Sequence, residues 1–153
     1  MIHIVLVEPQ IPPNTGNIAR LCAGLGLSLH LVKPLGFSLS DRYLKRAGLD
    51  YWPHVDLHVH ESWVLFFKKY PDGCFYYFTT KSQRPYTSAR FQKGDFLVFG
   101  SETKGLPAFL LKENADRLLT IPIDDKIRSL NLSSTVAMAA GEAVRQLRCL
   151  SPT

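Results

Sequence analysis

Six short strand-like runs recur along the chain, at residues 2–7, 28–32, 56–60, 74–79, 95–99 and 117–121. Helix-patterned stretches lie between or after them, at 15–25, 40–47, 62–70, 108–113 and 132–147. Strands that alternate with helices build α/β folds around a mostly parallel sheet. Two runs, Ile4-Val-Leu-Val7 and Phe96-Leu-Val-Phe99, carry no polar residue at all. Unbroken apolar strands belong in a sheet covered on both faces. The expected architecture is therefore a mostly parallel sheet flanked by helices. Gly26 and Gly48 stand where helix C-caps belong, and Ser40 and Ser62 where N-caps belong.

Composition narrows the classes. A chain of 153 residues with 46% hydrophobic content supports one domain, 1–153, with a real core. No apolar run reaches the length of a membrane span, and residues 2–7 lack the features of a signal segment. Three widely spaced cysteines, Cys22, Cys74 and Cys149, argue against a disulfide framework or a zinc site and suit the reducing cytoplasm. No His/Cys/Asp/Glu cluster has ligand spacing, so no metal is expected. A net charge of +5 makes a polyanionic partner reasonable.

Three loops after strands carry the unusual chemistry. The first, Glu8-Pro-Gln-Ile-Pro-Pro-Asn14-Thr-Gly-Asn17-Ile-Ala-Arg20, is stiffened by three prolines. Asn14 or Thr15 is a candidate cap for the helix that follows. Asn17 and Arg20, three apart, share a helical face and suit a phosphate or ribose. The second, Phe99-Gly100-Ser-Glu102-Thr-Lys104-Gly105-Leu-Pro107, approaches a phosphate-binding P-loop. It lacks the Lys-Ser/Thr that such a loop needs after its second glycine. Its glycines let a backbone approach a ligand closely, and its one carboxylate sits just past a strand's carboxyl end. The third runs Ile121-Pro-Ile123 … Arg128-Ser129-Leu130-Asn131-Leu-Ser133-Ser134 and enters a helix rich in small residues. Asn131 or Ser133 is its candidate cap.

Together the three loops resemble, in order and at near-constant spacing, the three motifs of the SPOUT (SpoU-TrmD) RNA methyltransferases. The segments around Glu8–Asn17, His30–Phe37 and Leu44–Trp52 resemble one branch more closely, the TrmL (YibK) tRNA wobble-nucleotide 2′-O-methyltransferases. The resemblance implies a deep trefoil knot at the carboxyl end, an exception to unknotted topology. It implies S-adenosyl-L-methionine held by the loops 78–80, 100–105, 121–123 and 129–134, leaving as S-adenosyl-L-homocysteine. The cofactor positions it assigns are Phe78, Thr79, Gly100, Glu102, Gly105, Ile121, Ile123, Ser129, Leu130 and Ser134. It also implies a cytoplasmic homodimer that acts on tRNA with its site near the subunit interface.

The implied chemistry is methylation of a ribose 2′-hydroxyl, a poor nucleophile that must lose its proton. The resemblance points to Arg20 as the activator. A guanidinium is always charged, so it acts through substrate phosphate or by stabilising a developing alkoxide rather than as a base. Asn14, Glu102, Asn131 and Ser133 complete the catalytic set by orienting ribose, phosphate and cofactor. Arg20, Arg42, Arg46, Lys104 and Arg128 are the expected RNA contacts, with Tyr43, Tyr51 and Trp52 as stacking candidates. The five histidines lie on or beside strand-like runs and read as structural. Gly141 departs from the branch, which can carry an aromatic there. Two alternatives stay open: methylation of ribosomal RNA, and a non-catalytic RNA-binding module.

Overall fold

The computed structural model describes residues 1–42, 44, 46 and 51–149. Six strands form one sheet: β1 (His3–Val7), β2 (Ser28–Val32), β3 (Asp56–His60), β4 (Phe75–Phe78), β5 (Phe96–Phe99) and β6 (Leu118–Leu119). Their order is β3-β2-β1-β5-β4-β6, and every pairing is parallel. The chain first builds outward from β1 to β3, then builds the other half from β4 to β6. Its direction therefore reverses between β1 and β5. In an open parallel sheet the crevice at such a reversal, beyond the strands' carboxyl ends, is where ligands bind. The first loop leaves β1 there and the glycine loop leaves β5 beside it.

Alternate residues of each strand feed two cores. Ile4, Leu6, Leu29, Leu31, Tyr76, Phe78, Leu97 and Phe99 pack with helices α1 (Pro12–Leu25) and α4 (Leu132–Cys149). Val5, Val7, Val32, Phe75, Tyr77, Phe96 and Val98 pack with α2 (Trp63–Lys69) and α3 (Ala108–Glu113). Ala139, Ala140 and Ala143 of α4 are fully buried with Ile18, Ala19 and Cys22 of α1. The small residues thus serve close packing of two helices within the chain.

Most expected elements form within a residue or two of their expected ends. Gly26 caps α1 with φ +70°, and the Ser62 hydroxyl accepts from the Leu65 amide at the start of α2. Three differences have physical causes. Helix α1 starts at Pro12, not at residue 15: Pro12 and Pro13 fill first-turn positions that need no amide donor. The cap near 40 is Asp41, whose carboxylate accepts from the Leu44 amide, rather than Ser40. The last strand shrinks to Leu118–Leu119, because Arg117 closes a 3-10 turn and Thr120 bridges to Pro85. Gly48, Tyr43 and Lys45 lie outside the described residues.

On the α2 face, four histidines cross the sheet as a diagonal stripe. His3 Nδ1 lies 2.9 Å from His30 Nε2, and His30 Nδ1 lies 3.0 Å from His60 Nε2. His58 stacks on His30 and meets Asp56 at 2.9 Å. In each imidazole pair one ring donates and the other accepts, so the accepting ring is neutral. Burial first, then the neighbouring imidazoles, push His30 down to about 3. His3 and His60 are lowered for the same leading reason. The unfolded chain therefore binds more protons below about pH 6.5. Stability is complete above that pH and declines as pH falls toward 3. His30 alone costs about 1.4 kcal/mol per pH unit in that window. Urea unfolding at pH 7.5, 6 and 5 should show this decline, and a flat profile would contradict it.

Candidate functional site

Helix α1 has no side-chain cap of its own. Its amino end is closed from far along the chain by Glu102. Glu102 Oε1 accepts from the Gln10 amide at 2.9 Å. Its Oε2 accepts from the Ile11 amide at 2.7 Å and from Asn14 Nδ2 at 3.2 Å. A carboxylate at a helix amino terminus satisfies orphan amides and meets the positive end of the helix dipole. Asn14 in turn accepts from Asn131 Nδ2 at 3.1 Å. Asn131 Oδ1 then caps α4, accepting from the Ser133 amide at 2.9 Å and the Ser134 amide at 3.4 Å. One hydrogen-bonded junction thus joins all three loops.

This changes several expected roles. Asn14 and Thr15 sit inside α1 rather than capping it, and Asn14 is buried as a link in the junction. The Ser133 hydroxyl donates to Asn131 Oδ1, so it is spent on the cap. Both oxygens of Glu102 are engaged by the protein, which makes it first an anchor of the fold. Asn131 is the cap that the sequence suggested.

The glycine loop is a closed turn. Ser101 and Gly105 pair in both directions, at 3.0 and 3.3 Å, and Ser101 Oγ accepts from the Lys104 amide at 3.0 Å. A Cβ on Gly100 would collide with the backbone of Gly105 and Leu106. At Gly105 a Cβ would meet open space, but φ is +66°. Gly100 is demanded by contact and Gly105 by conformation.

These loops enclose a cavity of about 760 Å³. Its walls include Asn14, Phe78, Thr79, Gly100, Glu102, Gly105, Ile121, Ile123, Ser129, Leu130 and Asn131 from the expected set, with Lys104 and Arg128. Ser133, Ser134 and Arg20 are not on its lining. The walls also include Ile11, Leu106, Leu111, Thr120 and Thr135, which the site assignment from sequence left out. Thr135 follows Ser129, Asn131 and Ser133 in the same polar series. Leu111 and Thr120 carry no local signal, because only the packing of α3 and β6 brings them there.

Arg20 is exposed on α1, and its guanidinium lies 4.6 Å from the centre of the Tyr51 ring. Arg42 and Arg46 are exposed and helical. Trp52 is half-buried and packs against the core beside α1. Burial pushes the Cys22 thiol up to about 12, which leaves it a packing group. Among the described residues, no group of three or more His, Cys, Asp or Glu is placed to hold a metal ion. No helix among them is long and apolar enough to cross a membrane.

Known proteins match this arrangement over nearly its whole length. The chain is 48% identical over 150 residues to the tRNA (cytidine(34)-2′-O)-methyltransferase of Burkholderia cenocepacia, covering 95% of this chain and 96% of that one. It is 47% identical over 147 residues to the Methylovorus glucosotrophus protein of the same name, at 95% and 96% coverage. A solved structure concerned with the 2-OH methylation of C/U34 on tRNA superposes with a TM-score of 0.94 at 48% identity, over 97% of both chains. At 20% identity, the SpoU methyltransferase AviRb from Streptomyces viridochromogenes, solved with AdoMet, shares the fold at a TM-score of 0.84 over 96% of this chain and 60% of that one. Residues 1–141 match the SpoU rRNA Methylase family, so the loops, the junction and the cavity they enclose are those of a chain that belongs to that family.

Proposed function

We propose that the chain, as one domain over 1–153, methylates the ribose 2′-hydroxyl of nucleotide 34, the wobble position of tRNA. The carrying observation is the single junction, Glu102 to Asn14 to Asn131, that gathers all three loops around one cavity. The near-full-length likeness to proteins named for this activity supports the choice of nucleotide. S-adenosyl-L-methionine supplies an electrophilic methyl group and leaves as S-adenosyl-L-homocysteine.

The residues present fit that cofactor. The cavity falls in the range that holds small ligands. Phe78, Ile121, Ile123 and Leu130 offer apolar surface for a flat base. Thr79, Ser129 and the closed turn at Gly100–Gly105 offer polar and backbone groups beside it. Lys104 and Arg128 on the lining, with Arg20, Arg42 and Arg46 outside it, supply positive charge for tRNA phosphates. We read the enzyme as cytoplasmic, in keeping with a tRNA substrate. We read the segment bearing these cofactor loops as a deep trefoil knot, in keeping with the family resemblance. Calorimetric titration with S-adenosyl-L-methionine tests the cofactor assignment. One site per chain is expected, and no measurable binding would overturn it.

The working form in this reading is a homodimer. Arg20 does not line the cavity of its own chain, which supports a guanidinium supplied by a second copy. Ala137, Met138 and Gly141 form an exposed small and apolar stripe on α4 suited to that contact. A side chain at Gly141 meets no neighbour within the chain. Gly141→Glu should therefore fold as a monomer in sedimentation and lose methyl transfer. A fully active monomer would contradict the shared site.

A further inference from the structure

We propose that Tyr51 is the positioning residue for Arg20: its ring holds the guanidinium in place without neutralising it. The inference rests on the role of Arg20 in methyl transfer proposed above. Arg20 is exposed on α1, and the ring of Tyr51 is its one directed partner among the described residues. The guanidinium carbon lies 4.6 Å from the ring centroid, inside the range of a cation–π contact.

The choice of partner matters for the chemistry. A carboxylate beside Arg20 would orient it but would cancel the field that a phosphate or developing alkoxide needs. It would also occupy the N–H donors that recognise phosphate in pairs. A ring face attracts the cation through its quadrupole, adds no net charge and accepts no N–H edge-on. It cuts the freedom of a long side chain that otherwise costs entropy to fix at each turnover.

The ring is itself held. The Tyr51 carbonyl accepts from the His54 amide at 2.9 Å, closing the turn Trp52–His54. Trp52, the next residue, packs into the α1 core. That anchors the segment bearing the ring against the helix bearing Arg20. The contact explains why an aromatic stands here, whereas a stacking role toward RNA would leave both ring faces open.

Steady-state methyl transfer to tRNA by Tyr51→Phe and Tyr51→Leu tests this. Tyr51→Phe keeps the ring and should retain turnover. Tyr51→Leu should lower kcat roughly two- to five-fold, the range of an exposed cation–π pair, with unchanged S-adenosyl-L-methionine affinity. Fluorinated phenylalanines at position 51 should lower kcat stepwise as fluorine weakens the ring quadrupole, an effect that a purely structural ring would not show. Wild-type kcat in Tyr51→Leu, equal damage in Tyr51→Phe, or no fluorine trend would each overturn the assignment. Arg20→Ala, measured in parallel, separates the two readings. If it turns over normally, the role of Arg20 falls. If it is inactive while Tyr51→Leu is normal, only the role of Tyr51 falls.

Discussion

Gly100→Val should unfold the glycine loop and remove cofactor binding. Gly100 directly follows β5, and the chain returns at once so that Gly105 and Leu106 lie directly over it. The wall that an added Cβ would strike is backbone, not the end of a flexible side chain. That wall cannot retreat easily, because Ser101 and Gly105 pair across the turn and Leu106 is buried in the α2/α3 core. Overpacking in well-packed interiors costs about 1–3 kcal/mol, and a backbone collision stands at or above that range. The turn also carries Glu102, so displacing it releases the amides of Gln10 and Ile11 and the amide group of Asn14 together. Calorimetry with S-adenosyl-L-methionine and thermal unfolding should both report the loss. Gly105→Ala is the informative companion. Its Cβ meets nothing, and it suffers only the left-handed backbone, about 1–2 kcal/mol. It should therefore remain folded and bind more weakly than wild type. Normal cofactor affinity in Gly100→Val would show that the turn is not part of the pocket.

Arg20→Ala should abolish methyl transfer while leaving the fold and cofactor affinity intact. Arg20 is exposed and off the cavity lining, so truncating it opens no hole and removes no cofactor contact. In the proposed reading, what it removes is a fixed positive charge at the reacting hydroxyl. Losing one preorganised electrostatic contact of that kind costs about a hundred- to a thousand-fold in kcat. Arg20→Lys keeps the charge but not the planar fork, so it should recover little. Near-normal turnover of Arg20→Ala would remove the activator role.

The fold was legible because its signal is local. Residues such as Ile4-Val-Leu-Val7 and Phe96-Leu-Val-Phe99 announce strands covered on both faces, and both are. Gly26 and Ser62 mark helix ends by their own chemistry. What stayed hidden is what arrives from a distance. Nothing near Pro12 says that its helix is capped by a carboxylate ninety residues later, so the cap was sought at Asn14 and Thr15. Small residues such as Ala139, Ala140 and Ala143 name no partner by themselves, and the structure packs them inward against α1. The motifs did mark the cavity: Asn14, Gly100, Glu102, Ile121, Ser129 and Asn131 all line it. Ser133 and Ser134, assigned through the family resemblance, fall off the lining because beyond Asn131 the side chains follow the helical period of α4.

The most direct measurement incubates the protein with S-adenosyl-L-methionine and tRNA, then maps the new methyl group by nuclease digestion and nucleoside mass spectrometry. A single 2′-O-methyl group on nucleotide 34 is expected, absent when that nucleotide is supplied as its 2′-deoxy form. Methylation at another tRNA position, on a base, or only on ribosomal RNA would contradict it.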